Sequence, residues 1–538
     1  MQEHSLGART TPIHRPTRNR PYTMGTRDEA VSWLPRITLD TTIADLYKRA
    51  APRHASKRIG QVLCGVNSVM ALSPDFPRNA KFLYQDSPFN TVPARKLSAT
   101  NRSLQRSLAM KYLGLIPQRD AFIAGPTPVV LFNLDQTPEQ VEHDRREAEA
   151  TLAVLDPGQA PELVFCPGPE SIPVAAAKID MIAYKLALDG LEGYPLTVDL
   201  DTHWFLNSKA ALALSGLPTP KADVVEVLGF GDDPNTCCEI CKADRSSIKI
   251  IRTECTGSRG RWLNKQIDVL TDAIQARPAP FVFKSQQSFG GAGTWVVTND
   301  EEKKALLDDL GGGDGVLRKL LSQVTAANTH LEPATGIISD IVKDPIGDYG
   351  LTFFVKEDGA AIFLAASEQM TDSNNAWIGS TINYANQDRL REKLEPVMNR
   401  TAAWLGGHGY YGPAGADVLE TRSPGLTETA SGEATAYHIV DLNVRTSGSI
   451  CLPLLRGHFT GRGLSCGSSF SIAVRGTRND FMKRWRSELE SGQIVLVSWY
   501  EDKDSNESIA DVAVGGDGDE GLKELMKRVR DASEEVTF

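Results

Sequence analysis

Short apolar runs alternate with helical patterns from about residue 56 to 200, and strands alternate with helices again from 260 to 470. Nothing else in the chain constrains its fold as strongly. Over 56–200, strands interleaved with helices would bury their apolar runs in a sheet that the helices cover, and such a sheet is largely parallel. Residues 59–69, 128–134 and 161–166 read as buried strands, and 138–155 and 173–188 as helices. The expected fold class is therefore α/β, arranged as α+β lobes.

At roughly 100–200 residues per domain, 538 residues make about three domains or large lobes. Residues 1–55 are polar and rich in Arg and Pro, and read as a disordered tail. An N-terminal α/β domain is expected over 56–205, a central unit over 206–470 and a small C-terminal α/β extension over 471–538. The extension holds a helix near 478–491, strands at 494–499 and 508–514, and a closing helix over 522–532. A net charge of −10 argues against nucleic acid as a partner. No apolar run reaches the roughly 18 residues a membrane span needs. The N-terminus has no signal-peptide core. Its arginines (Arg9, Arg15, Arg18, Arg20, Arg27) suit a transit peptide, but Pro12, Pro16 and Pro21 would break the amphipathic helix such a peptide needs. Eight cysteines are too few for a disulfide scaffold, and a cytoplasmic, reducing location is expected.

Two segments carry chemistry. In the first, Phe281-Val282-Phe283-Lys284 is a strand ending in lysine. It leads through Ser288-Phe289-Gly290-Gly291-Ala292-Gly293 into a second strand, Trp295-Val296-Val297. Glycines without side chains let backbone N–H groups press on phosphate oxygens, and Lys284 would add a point charge. A plain glycine-rich hairpin tip with a surface lysine reads the same way.

In the second, Asp417 sits on a strand entered through Gly412-Pro413-Ala414-Gly415-Ala416. After a polar loop over 421–436 comes Tyr437-His438-Ile439-Val440-Asp441-Leu442-Asn443-Val444-Arg445. Strand side chains alternate, so Val440, Leu442 and Val444 are expected in the core, with Asp441, Asn443 and Arg445 together on the other face. If the strands pair, Asp417 joins them. Two carboxylates and an amide oxygen are hard donors suited to Mg²⁺, and Arg445 suits a phosphate or carboxylate. A solvated strand face with a salt bridge is the plainer reading.

Together these residues resemble the ATP-grasp superfamily, over about 205–470. The resemblance implies a pre-ATP-grasp domain followed by the nucleotide lobes. Lys284 matches the family's phosphate-binding lysine, and Gly290, Gly291 and Gly293 match its phosphate loop. Asp417, Asp441 and Asn443 match its metal ligands, and Arg445 matches the arginine near the transferred phosphoryl group. Asn207-Ser208-Lys209 and the following Gly216-Leu217-Pro218 resemble the opening of the nucleotide region, with Lys209 as a nucleotide contact. Ser339, Asp340 and Ile341 resemble the adenine hinge, and Asp348 the ribose holder. Asp441 stands where Glu is usual, and Phe205 where a Lys or Arg is usual. The chain also resembles, in general look, fungal proteins of specialised metabolism.

The resemblance implies an ATP-dependent carboxylate–amine ligase using a pair of Mg²⁺ ions, with Mn²⁺ able to substitute. Lys284 and Arg445 would be catalytic. Its substrates would be a small carboxylate and an amino acid-like amine, with no nucleic acid or membrane partner and a homodimer as the assembly considered. The alternatives are a kinase or carboxylate–thiol ligase at the same site, or a non-catalytic nucleotide-binding regulator.

Other motifs carry less. Gly407-His408-Gly409-Tyr410-Tyr411-Gly412 spells a dinucleotide fingerprint, but a helix precedes it and a strand follows, the reverse of what that fingerprint needs. Gly463-Leu464-Ser465-Cys466-Gly467 spells a nucleophile elbow without the buried strand that should lead into it. Cys238 and Cys241, with Cys255 and the adjacent Cys237, fit either a structural metal or plain thiols.

Overall fold

The computed structural model describes residues 33–63, 80–86, 114–133, 137–230, 237–243, 250–289, 293–312, 315–371, 377–422, 435–502 and 506–533. The protein is mixed α/β. It has a parallel sheet of four strands, an antiparallel sheet of four and an antiparallel sheet of eight.

The first sheet joins β1 (Ile59–Val62), β3 (Pro128–Phe132), β4 (Glu162–Cys166) and β5 (Met181–Tyr184) in the order β4-β3-β1-β5. All its pairings are parallel. β3 is buried along its whole length, as a strand covered on both faces must be. Residues 64–69 of the first expected strand lie outside the described residues. The helix expected over 173–188 does not form; the segment is a loop leading into β5. A short buried strand has no alternation, so periodicity alone cannot separate it from a helix face.

Part of the expected tail is also ordered. Helix α1 (Ile43–Ala50) is capped by Thr42, whose hydroxyl accepts the Asp45 N–H, and it buries Ile43, Leu46, Tyr47 and Ala50. That spacing is an amphipathic stripe, masked in the sequence by the polar residues around it. Tyr47 meets Phe354 edge to face at 5.0 Å. Helix α2 (residues 114–124) follows. Helix α3 (Pro138–Leu152) starts with Pro138 behind a Thr137 cap.

Helices α4 (Leu200–Leu206) and α5 (Lys209–Leu214) lead into the second sheet. It joins β6 (Ala222–Val225), β7 (Phe281–Ser285), β9 (Thr294–Val297) and β10 (Gly336–Ser339) in the order β6-β10-β7-β9. The strand–glycine loop–strand unit is a hairpin as expected, with Lys284 opposite Thr294. Short α6 (Glu239–Ala243) precedes α7 (Ser258–Ala276), α8 (Asp300–Gly311) and α9 (Val316–Gln323). Leu263, Leu270 and Ile274 of α7 pack in one core with Phe281, Phe283 and Ile338 of this sheet and with Val62 and Val130 of the first. Replacing Phe283 by Ala there should cost about 3–5 kcal/mol. A two-residue parallel pair, β2 (Gln85–Asp86) with β8 (Ser288–Phe289), also links the two lobes.

The third sheet runs β15-β14-β11-β12-β13-β16-β18-β17. Its strands are β11 (Gly347–Val355), β12 (Ala361–Thr371), β13 (Trp377–Asn383), β14 (Gly412–Arg422), β15 (Thr435–Asn443), β16 (Cys466–Arg475), β17 (Ile494–Asp502) and β18 (Glu507–Gly516). Helix α10 (Gln387–Gly407) buries Leu394, Val397, Met398, Ala402 and Leu405 against it. Helices α11 (Cys451–Leu454), α12 (Arg456–Thr460), α13 (Arg478–Arg484), α14 (Arg486–Ser491) and α15 (Asp519–Asp531) are the remaining α-helices among the described residues. The strands and helices expected in the last 70 residues are present. They do not form a sheet of their own: β16 pairs with β13, so β16, β18 and β17 continue the sheet that carries Asp417.

Candidate active site

The acidic pair is built by register. β14 and β15 run antiparallel, and Asp417 stands directly opposite Asp441. Just beyond, the ladder slips: Val418 pairs with Ile439, and Val440 is left as the extra residue of a bulge. The face assignment expected for this strand is corrected accordingly. Ile439, Leu442 and Val444 are the core residues, whereas Val440 is only half-buried. Its displaced carbonyl accepts a hydrogen bond from Lys284 Nζ. Asn443 lies opposite Gly415, two residues from Asp441 and so on its side of the strand.

Lysines from two other elements converge on the pair. Lys209 opens α5 behind a Ser208 cap and is 6% exposed. Its Nζ donates to Asp441 Oδ1. Gln286, just past the end of β7, holds that turn in place: its carbonyl accepts the Lys209 N–H at 3.0 Å and its side-chain oxygen accepts the Ala210 N–H at 3.1 Å. Phe205, a turn earlier, faces outward beside Trp404 and His408. Lys209, and not Phe205, is the side chain of this segment that reaches Asp441.

The two carboxyls are pushed apart. Asp417 is raised above the usual carboxylate range by burial first, then by the charges of Asp441 and Asp348. For Asp441 burial also works against the charge, but the ammonium groups of Lys209 and Lys284 outweigh it and hold the carboxyl below its usual value. Burial lowers Lys284, with Asp441 opposing that shift. Opposite shifts in two facing acids are a recurrent mark of functional sites.

Several contributors were given no role of their own by the sequence. Gln369 of β12 donates its amide to Asp417 Oδ1 at 2.8 Å and reaches it across Gly350, where a Cβ would lie 2.5 Å from Gln369 Nε2. Asn207, the C-cap of α4, accepts from Arg445 Nη1 and from the Val444 N–H, each at 3.1 Å. His203 donates from Nε2 to the Val444 carbonyl at 2.8 Å. Farther in, Lys185 at the end of β5 is paired with Asp120 at 2.6 Å, and Thr446 donates to the same carboxylate at 2.8 Å. Burial brings Lys185 down to about 8, and the charge of Arg445 is among the contributions that lower it.

The remaining expected residues lie at the second sheet and its exit. Gly293 has φ +67°, a left-handed turn that glycine adopts without strain. Its carbonyl accepts the Ser285 N–H at 2.7 Å. Gly290 and Gly291 lie outside the described residues. Ser339 ends β10 beside Val282, and Ile341 follows in the connection to β11. The exposed carboxylate of Asp340 pairs with Arg277, which also holds Asp223 at 3.0 Å. Asp348 lies opposite Leu419 on β11, close enough for its charge to act on Asp417.

No protein-family model matches the chain, and no curated protein matches it. Among solved structures, an ADP complex of N5-carboxyaminoimidazole ribonucleotide synthetase is similar at 12% identity and a TM-score of 0.44, over 88% of this chain and 96% of that one. The same enzyme from Thermus thermophilus is similar at 15% identity and a TM-score of 0.44, over 79% and 98%. Phosphoribosylamine–glycine ligase from Thermotoga maritima is similar at 12% identity and a TM-score of 0.40, over 69% and 91%. The functional reading rests on the side chains.

Proposed function

We propose that this chain is an ATP- and Mg²⁺-dependent ligase of the ATP-grasp type, activating a small carboxylate as an acyl phosphate for attack by an amine. The reading is carried by one observation: Asp417 faces Asp441 across a strand pair onto which Lys209 and Lys284 converge. Facing carboxylates repel unless a cation lies between or beside them.

The donor set fits Mg²⁺. Asp417, Asp441 and the Asn443 amide offer hard oxygens and leave positions for phosphate and water. The bound ion would neutralise charge on the phosphate oxygens. Lys284 and Lys209 add fixed positive charge on the same side, and Arg445 offers a planar fork to a phosphoryl or carboxylate group. The substrate carboxylate oxygen bonds to the γ-phosphorus as the bond to ADP breaks. The amine nitrogen then bonds to the acyl carbon, inorganic phosphate leaves with its electron pair, and the amine's surplus proton passes to solvent.

No described helix is long and apolar enough to cross a membrane, and the described cysteines are free, in keeping with a reducing cytoplasm. The deciding experiment measures ADP and phosphate release with Mg·ATP against panels of carboxylic acids and amines, singly and together. Turnover is expected only with both. Release with a thiol or hydroxyl acceptor in place of the amine would move the reading to a thiol ligase or kinase. Nucleotide binding without turnover across the panels would leave a regulator.

A further inference from the structure

We propose that Cys238, Cys241 and Cys255 form a zinc site that anchors the connection between β6 and α7. This inference does not rest on the ligase reading, and the site lies on a different part of the chain from Asp417 and Asp441. The three sulfurs all lie within 4.8 Å of one another. Tetrahedral zinc with Zn–S bonds of about 2.3 Å places its sulfurs about 3.8 Å apart, so small shifts suffice to close the set. The thiols are free, and Cys241 and Cys255 are buried. Soft thiolates in this number select Zn²⁺ over the hard Mg²⁺ of the acidic pair.

The surroundings are shaped for a sulfur-bound cation. The backbone N–H of Cys238 donates to Cys255 Sγ at 3.4 Å, the kind of outer contact that orients a thiolate ligand. Cys255 lies just before the N-terminus of α7, a 19-residue helix whose positive end favours a thiolate. Gly260 in the first turn of that helix admits the cysteine: a Cβ there would lie 2.2 Å from the Cys255 carbonyl oxygen and 2.8 Å from its sulfur. The guanidinium of Arg259, 2% exposed, sits one residue earlier and bonds the carbonyls of Leu321 and Val324. Three thiolates and Zn²⁺ leave one net negative charge, and Arg259 with the helix end offsets it. Cys237, whose thiol interacts with that of Cys255, lies just outside the mutual 4.8 Å set and is the nearest group for the fourth position that a closed structural site takes.

The site has a structural use. Between β6 and α7 the chain leaves the second sheet for about thirty residues, and an ion held by Cys238 and Cys241 at α6, midway along it, and by Cys255 near its end would tie α6 to the start of α7. Metal binding would require the thiols to lose their protons, which pass to solvent.

The test is metal content, read without ATP. Full-length protein purified under reducing conditions should carry one zinc per chain by mass spectrometry of its metals. A mercurial thiol reagent should release that zinc to a chromophoric chelator. Cys255→Ser should reduce zinc to background, whereas Cys166→Ala, in the first sheet, should retain it. Because Cys255→Ser could fail to fold, cobalt exchanged into the unaltered chain gives a second reading: thiolate-to-cobalt charge-transfer absorption is expected. Zinc-free protein after purification with added zinc, iron in its place, or a Cys238–Cys241 disulfide would each overturn the proposal.

Discussion

Asp417 and Asp441 stand directly opposite each other across the β14–β15 pair, and the ladder slips by one residue immediately beyond them. The slip frees the Val440 carbonyl, and Lys284 from the neighbouring sheet takes it up. One backbone irregularity thus ties the acidic strands to the strand that brings the lysine.

Asp441→Asn keeps the oxygen that Lys209 bonds and removes the charge. If a cation is held by this pair, turnover should fall by about 10²–10³-fold or more, the scale of losing one electrostatic contact to a reacting group. Circular dichroism should be unchanged. ADP release equal to the unaltered protein would count against the metal assignment.

Gly350→Ala tests the support behind Asp417. The added methyl would lie 2.5 Å from Gln369 Nε2 and 2.9 Å from Ser367 Oγ, so the amide must leave Asp417. Overpacking of this kind costs about 1–3 kcal/mol. Gln369→Ala, like Gly350→Ala, should weaken Mg²⁺ affinity and raise the Mg²⁺ concentration needed for half-maximal turnover. The two changes together should cost little more than one, since both remove a single hydrogen bond. Additive effects in magnesium titrations would separate Gly350 from Asp417.

Part of the site was legible because β-strands have a period of two: Asp441 and Asn443 share a side whatever the sheet around them, whereas Arg445 lies in a bend past the end of β15 and is placed by Asn207 instead. The bulge was not legible, because a one-residue slip depends on how Val418 and Ile439 pack across the pair. The partners of Gln369 and Asn207 were hidden for a related reason: each acts by reaching another element, and their neighbours in sequence do not announce the target. The α/β alternation gave the strands of the first sheet, but β5 read as a helix because a four-residue buried run has no detectable period. In α1, the stripe of Ile43, Leu46, Tyr47 and Ala50 was diluted by a polar window, and burial against Phe354 decides its structure.

Stability should carry a histidine signature. His203 is buried and held down to about 4, chiefly because burial disfavours the charged ring, with Arg445 adding like charge. Its Nδ1 has no hydrogen-bond partner, so a proton there would gain no acceptor. Between its ordinary 6.5 and about 4 the unfolded chain binds the proton and the folded chain does not. Stability should therefore fall as pH drops through that window, by up to about 3 kcal/mol from this group. Asp417, raised in the fold, slopes the other way over part of the range. The measurement is the difference between unaltered protein and His203→Gln in denaturant melts across pH; equal slopes in the two would remove the assignment.

Asn207 positions Arg445, and its role separates binding from chemistry. Its Oδ1 accepts from both Arg445 Nη1 and the Val444 N–H, while its amide donates to the His203 carbonyl at 2.9 Å. Asn207→Ala leaves a buried N–H without that acceptor, which should cost about 1–3 kcal/mol. If Arg445 acts on the group being transferred, its misplacement should lower kcat by roughly 10-fold or more while leaving the KM for ATP nearly unchanged, because on the proposed reading Lys284 and the acidic pair would hold the nucleotide without it. Asn207→Asp restores both acceptor bonds and should recover stability, with Arg445 now drawn toward a carboxylate and kcat still reduced. A rise in KM at constant kcat would instead make Arg445 a ground-state binding group.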